Sequence, residues 1–190
     1  MTRMPPLYAG AHRTVGALLR TLWPTTVTGL ENIPAGTGAI LCPNHHAIAD
    51  QLFLAVNTPR HIAFWAKAEY FRAPGARGSV TRRVVTGMGA IPVERAGGRA
   101  VLTAFDAAIP ILYKRQVPVI PVGIRGTDQI RPADRRLPRR RPISLSFGPP
   151  IPVKVESAPD ARRLTDELIA AIQSLTGQQY VPSYAPPRTP

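Results

Sequence analysis

Cysteine is nearly absent: Cys42 is the one thiol in 190 residues. That excludes a disulfide scaffold and any cysteine-rich zinc site, and a single free thiol suits a reducing compartment. No run of about 20 apolar residues occurs, so no spanning helix is expected. The N-terminus lacks the uninterrupted apolar core and small-residue cleavage site of a signal peptide, which makes the cytoplasmic side the expected location. Acids are scarce as well, 11 against 24 Lys and Arg, for a formal charge of +13. A surface this basic favours anionic partners such as nucleic acid, anionic lipid or phosphorylated substrates. Repeats and Ser/Gly linkers are also missing, so the length reads as one domain.

What is present starts with a 44% hydrophobic content, enough for a real core and against wholesale disorder. The 22 prolines are spread along the chain and read as punctuation between short elements. Residues 5–23 predict a helix opened by Pro5 and Pro6, with Val15, Leu18, Leu19, Leu22 and Trp23 on one face and Arg13 and Arg20 outside it. Two readings stand for it, a helix packed on the domain or an interfacial helix facing anionic lipid. Strands are predicted at 27–33, 38–42, 61–65, 89–94, 117–124 and 143–148, the second of them as a strand buried on both faces. Helices are predicted from 47–56, around Lys67–Phe71, from about Gly98 to Lys114, and through Leu164, Leu168, Ile172 and Leu175. Ser157 and Asp160 have the spacing of a capping box for the last helix, and Gly177 is its stop. Residues between Phe71 and Gly89 read as a Gly/Pro/Arg-rich connection. The two prolines in 117–124 point to an edge or irregular strand. Alternating strands and helices give an α/β class, a mixed β-sheet flanked by helices.

The segment Asn44–Asp50, NHHAIAD, falls on a strand-to-helix turn at the carboxyl end of a predicted strand, where ligands bind in open α/β sheets. His45 just outside a helix and Asp50 in its first turn can meet side chain to side chain. An Asp accepting from one ring nitrogen fixes the tautomer and leaves the other as a base, suited to removing a proton from a hydroxyl that attacks a thioester or ester. No Gly-x-Ser-x-Gly elbow exists, so a serine nucleophile is not expected. His46 beside His45 admits a structural or metal-ligand reading, but His12 and His61 are isolated and no metal site is predicted. Arg95 follows a strand near a Gly-Gly turn. It could present a guanidinium to a phosphate, or be a solvated arginine paired with Glu94.

Together these segments resemble the lysophospholipid acyltransferase family, in particular bacterial 1-acylglycerol-3-phosphate acyltransferases. The first family block, Asn-His-x-x-x-x-Asp, matches at Asn44, His45 and Asp50, with Ala47 where a Ser is common. The second, Gly-x-Ile-x-Val-x-Arg, matches at Gly89, Ile91, Val93 and Arg95. VPVIPVGIRGTD, residues 117–128, is similar to the fourth block, and AKAEYF, residues 66–71, to the intervening segment carrying Lys67. The third block, Pro-Glu-Gly-Thr-Arg-Ser, has no counterpart: Gln116 passes straight into Val117, as though a strand, the motif loop and a helix were deleted.

The resemblance implies a glycerol-3-phosphate acyltransferase-like fold short of one strand and helix. It divides the chain into an N-terminal amphipathic helix (1–26), an acyltransferase-like domain (27–180) and a disordered tail (181–190). It implies acyl transfer from acyl-CoA or acyl carrier protein to the free hydroxyl of a lysophospholipid such as lysophosphatidate, giving phosphatidate. His45 would be the base, Asp50 its orienting partner, and Arg95 the grip on the phosphate, with Asn44, Gly89, Lys67 and Arg125 in support. Backbone N–H groups near the helix after His45 would contribute to oxyanion stabilisation. No metal or bound cofactor is implied, only the thioester co-substrate. The alternative is a degenerate acyltransferase that binds lipid or membrane without turnover.

Arg125, Arg131, Arg135, Arg136 and Arg139–Arg141 crowd one stretch. It reads either as a solvated loop or as a contact with the anionic surface of a membrane, the protein sitting peripherally on the cytoplasmic face. Nucleic acid is not the expected partner, because residues 125–141 hold no aromatic side chain.

Overall fold

A computed structural model describes residues 4–47, 49–93, 117–130, 137–153 and 157–181. In chain order the elements are α1 (Pro6–Leu22), β1 (Thr25–Thr28), a 3₁₀ turn (Leu30–Asn32), β2 (Ile40–Pro43), α2 (Ala49–Asn57) and β3 (Trp65–Lys67). Then follow α3 (Glu69–Arg72), α4 (Gly75–Gly87), β4 (Ile91–Val93), β5 (Val119–Arg125), β6 (Ile143–Phe147) and α5 (Ala158–Thr176). Residues 94–116, with the expected Gly98–Lys114 helix, Arg95 and the residues leading into Val117, lie outside the described residues. So do 131–136 and the tail from Pro182.

The expected mixed α/β architecture is present, with the strands divided between two ladders among the described residues. Four strands run in the order β1-β6-β5-β2 and two in the order β3-β4. β5 pairs parallel with β2 and antiparallel with β6, while β1 joins β6 in parallel and β3 joins β4 in parallel. Successive β5 residues point to opposite faces. Ile120, Val122 and Ile124 pack with Leu145, Phe147 and Leu54 of α2 in the main core. Each such fully buried side chain contributes about 1.5–3 kcal/mol by leaving water. The other face meets α5, where Gly123 lies against Leu175 and Thr176. Beyond α2 lies α1: Leu19 and Trp23 pack on Phe53, Ile130 and Ile143, and Tyr8 donates to the Ala55 carbonyl.

Several expectations need correction. β5 is the central, most buried strand rather than an edge, its residues Val119–Ile124 all buried. Its prolines are tolerated because of where their missing N–H groups fall. Pro118 precedes the strand and still accepts from Ile40 N through its carbonyl. Pro121 lies past the end of the β6 ladder, opposite Gly148–Pro150, where its carbonyl takes the Gly148 N–H and no donor is required of it. β2, expected to be buried on both faces, is only half-buried. The first strand ends at Thr28 rather than at residue 33, giving way to the 3₁₀ turn pinned by Asn32 Nδ2 to the Phe147 carbonyl. The 61–65 strand is displaced to Trp65–Lys67.

Helix α4 was expected to be a connection. Its GARGSVTRRVVTG sequence is rich in Gly and β-branched residues, poor helix formers that hide it from propensity. Tertiary packing supplies what propensity lacks: α4 lies on α3 and on α1, with Leu7 against Gly87. The termini of α5 follow the sequence signals closely. Ser157 Oγ accepts from Asp160 N, and Gly177 closes the helix in the left-handed region at φ 67°. Among the described residues no helix is long and apolar enough to cross a membrane.

Candidate active site

The strand β2 ends at Pro43 and α2 begins at Ala49, and residues 44–47 lead from one toward the other. Asn44 fixes the start of this turn. Its backbone N–H reaches the Val122 carbonyl at 3.3 Å. Its side chain then imitates one more strand residue, donating through Nδ2 to the Ile124 carbonyl at 2.8 Å and accepting through Oδ1 from the Ile124 N–H at 2.7 Å. The turn is thereby stitched to the carboxyl end of β5, which runs parallel to β2.

His45 and Asp50 meet as the spacing suggests. His45 Nδ1 lies 2.8 Å from Asp50 Oδ2, the histidine side chain 53% exposed and the aspartate 3%. A carboxylate acceptor puts the ring proton on Nδ1. No described residue bonds Nε2, so that nitrogen is left as the free base. Asp50 Oδ2 also accepts from the backbone N–H groups of His46 at 2.7 Å and Ala47 at 2.8 Å. Burial pushes the Asp50 pKa up, but these contributions outweigh it: the Ala47 N–H, the Thr127 hydroxyl, the His45 ring and the His46 N–H leave it lowered. Thr127 is itself buried, in the turn after β5. Its hydroxyl favours the carboxylate, and Asp50 Oδ1 has no hydrogen-bond partner among the described residues. Asp50 also sits in the first turn of α2, where the helix dipole favours a negative charge.

This geometry narrows one expectation. Of the backbone N–H groups near the start of α2, those of His46 and Ala47 both point at Asp50. They order the turn and hold the carboxylate ionised, so they are not free to receive a developing oxyanion.

Of the supporting residues, Asn44 belongs to the turn that carries His45. Gly89 does not: it sits where α4 gives way to β4, at φ 70°, and a Cβ there would lie 2.7 Å from the His61 ring. Its place is set by close packing against His61, whose Nε2 bonds the Met88 carbonyl. Lys67 and Arg125 are exposed at the carboxyl ends of β3 and β5, and neither bonds His45 or Asp50. Among the described residues no cluster of His, Cys, Asp and Glu could hold a metal ion. Cys42 is an inert neighbour, its thiol pushed up to about 11 by burial. Two residues near the turn escaped the sequence. One is Thr127, which stands two places after Arg125 in a segment already singled out. The other is Gln178, whose Oε1 accepts from Asn44 Nδ2 at 2.9 Å and lies 3.1 Å from His46 Nε2.

Comparison with known proteins bears on the fold and the family. A solved structure, the 1-acyl-sn-glycerophosphate (LPA) acyltransferase PlsC from Thermotoga maritima, is similar to the chain with a TM-score of 0.57. The match has 20% sequence identity and covers 91% of this chain and 84% of that one, which shows a shared fold. No curated protein matches the sequence. The model of the acyltransferase family matches residues 24–120, just over half of the chain, and takes in the whole Asn44–Asp50 turn. On that match, over a fold in which His45 and Asp50 are joined, the chain belongs to the acyltransferase family.

Proposed function

We propose that the protein transfers an acyl group from a thioester, acyl-CoA or acyl carrier protein, to the free hydroxyl of a lysophospholipid such as lysophosphatidate. The observation that carries the chemistry is the 2.8 Å contact between His45 Nδ1 and the buried Asp50 carboxylate, with Nε2 left open. Nε2 takes the proton of the attacking hydroxyl as its oxygen bonds the thioester carbonyl carbon. Asp50 then stabilises the imidazolium. Collapse of the tetrahedral intermediate breaks the C–S bond, and the imidazolium returns its proton to the leaving thiolate. No serine is needed, and none bonds His45 among the described residues.

Phosphate recognition falls to Arg95 by the family resemblance. Lys67 and Arg125, exposed at the carboxyl ends of β3 and β5, are further cations for it. The lipid nature of the acceptor is supported by the surface. Leu7, Val15, Leu18 and Leu22 form an apolar line along α1 that remains 42–58% exposed. Arginines lie beside its end, since Trp23 Nε1 donates to the Arg139 carbonyl and Arg140 reaches the Thr21 carbonyl. Such a surface suits peripheral docking on an anionic cytoplasmic leaflet.

The missing Pro-Glu-Gly-Thr-Arg-Ser block favours a second reading, in which the fold binds lipid without turnover. One experiment separates the two: acyl transfer by the purified chain with acyl-CoA and lysophosphatidate in detergent, beside His45→Ala. Phosphatidate formed by the wild type and reduced at least 10³-fold in the variant is the expected result. A cooperatively folded wild type with no turnover across several donors and acceptors would leave only the second reading.

A further inference from the structure

The chain after α5 reaches back to the catalytic turn. Gly177 reverses the backbone at the end of that helix, its N–H capping the Gln173 carbonyl. Thr176 is buried, with Oγ1 bonded to the Ile172 carbonyl and accepting from Gln178 N at 3.2 Å. One turn back, Leu175 and Thr176 lie directly on Gly123 of β5. Gln178 is therefore carried by a packed helix end, about 130 residues from the turn in sequence, and stands outside the stretch that matches the family model.

Its amide orientation is dictated by its neighbours. Asn44 uses Oδ1 to accept from Ile124 N, so its Nδ2 is the group facing Gln178. Gln178 must answer with oxygen, and that oxygen also lies within reach of His46 Nε2, which donates to it in the Nε2–H tautomer. One acceptor thus ties down Asn44 and His46, the residues on either side of His45. The His45 ring itself is half in solvent and held through a single bond to Asp50.

We propose that Gln178 is a positioning residue for His45: its Oε1 clamps the two flanking residues and keeps the base aimed. The proposal rests on the acyl-transfer reading, in which small misplacements of a base are costly in kcat rather than in substrate binding.

Three variants test it. Gln178→Leu keeps bulk and removes the acceptor, and is expected to lower kcat about 10-fold with KM for either substrate within about twofold of wild type. Gln178→Glu keeps an acceptor oxygen and is expected to restore kcat to within about threefold. Asn44→Ala combined with Gln178→Leu should lose less than the product of the two single losses, because the Asn44–Gln178 bond is shared between them. A Gln178→Leu enzyme with wild-type kcat, or a loss that Gln178→Glu leaves uncorrected, overturns the proposal. Two-bond ¹H–¹⁵N spectra of the histidine rings at alkaline pH give a readout free of turnover. His45 is expected as the Nδ1–H tautomer, and Gln178→Leu is expected to move its nitrogen shifts toward the mixture of free imidazole. If the wild type has no activity, the acyl-transfer reading fails while the spectra still decide the clamp. Shifts moved by Leu and restored by Glu support it, and shifts unmoved by Leu overturn it.

Discussion

Asp50 does two jobs with one oxygen. Oδ2 orients His45 and gathers the N–H groups of His46 and Ala47, so the proposed His45–Asp50 dyad and the turn that carries it share a single acceptor. Asp50→Asn keeps the shape but removes the charge, and its amide can present an N–H to the ring and favour the wrong tautomer. Activity is expected to fall about 10³–10⁴-fold, as in other histidine–carboxylate pairs, with KM nearly unchanged in steady-state kinetics. Stability should fall too, because three donors face a weaker acceptor; about 1–3 kcal/mol is expected from denaturant titration at neutral pH. The pH dependence of that loss has a definite sign. The folded-state pKa of Asp50 is lowered, so the carboxylate's contribution is fully present above the ordinary carboxylate pKa of about 3.9. It disappears as pH falls through the lower folded value. The stability gap between wild type and Asp50→Asn should therefore narrow in titrations carried below about pH 4. A gap that stays constant into strong acid would show that the charge of Asp50 is not what holds the turn.

At the scale of elements, what the sequence disclosed depended on how local the cause was. The caps of α5 were legible because Ser157, Asp160 and Gly177 act within one turn of the helix they bound. The pairing of His45 with Asp50 was legible for a similar reason, since Asp50 finds His45, His46 and Ala47 within five residues. β5 was misjudged because proline's cost depends on what lies opposite, and only the tertiary register puts Pro121 across from Gly148–Pro150. α4 was missed because packing on α1 and α3 overrides weak propensity. Thr127 and Gln178 had no local signal at all, since each meets the turn only through the stacking of β5 and α5. That stacking is testable at Gly123, where a Cβ would come within 2.8 Å of the Leu175 Cβ. Gly123→Ala must push α5 off the sheet, an overpacking cost of about 1–3 kcal/mol. The expected drop in Tm is about 2–12 °C by calorimetry. Because α5 carries Gln178, the same variant is expected to lose several-fold in kcat at temperatures where it is still folded. A drop in Tm with kcat intact would uncouple the helix from the His45–Asp50 turn.

At the scale of the whole molecule, the +13 charge and the exposed line on α1 bear on the same question. An amphipathic helix docked on a domain normally buries its apolar stripe. Here α1 uses Tyr8, Gly16, Leu19 and Trp23 for packing, sets Leu7 partly against Gly87, and leaves Val15, Leu18 and Leu22 outside. Leu137, at 80% exposure, and Arg139–Arg141 lie in the segment that bonds the end of the same helix. Apolar insertion and cationic attraction would then act together, and the two can be separated by salt. Vesicles containing a third anionic lipid should sediment the protein at low salt and release much of it at high salt, because the headgroup attraction is screened. Replacing Arg139, Arg140 and Arg141 by Gln is expected to weaken binding about 10- to 100-fold at low salt and to flatten the salt dependence. Leu18→Ser with Leu22→Ser should weaken binding at every salt concentration without changing its slope, since it removes the inserted surface rather than the charge. Equal binding to neutral and anionic vesicles would sink the electrostatic part of this account. Binding indifferent to the leucine pair would mean that α1 turns another face to the bilayer.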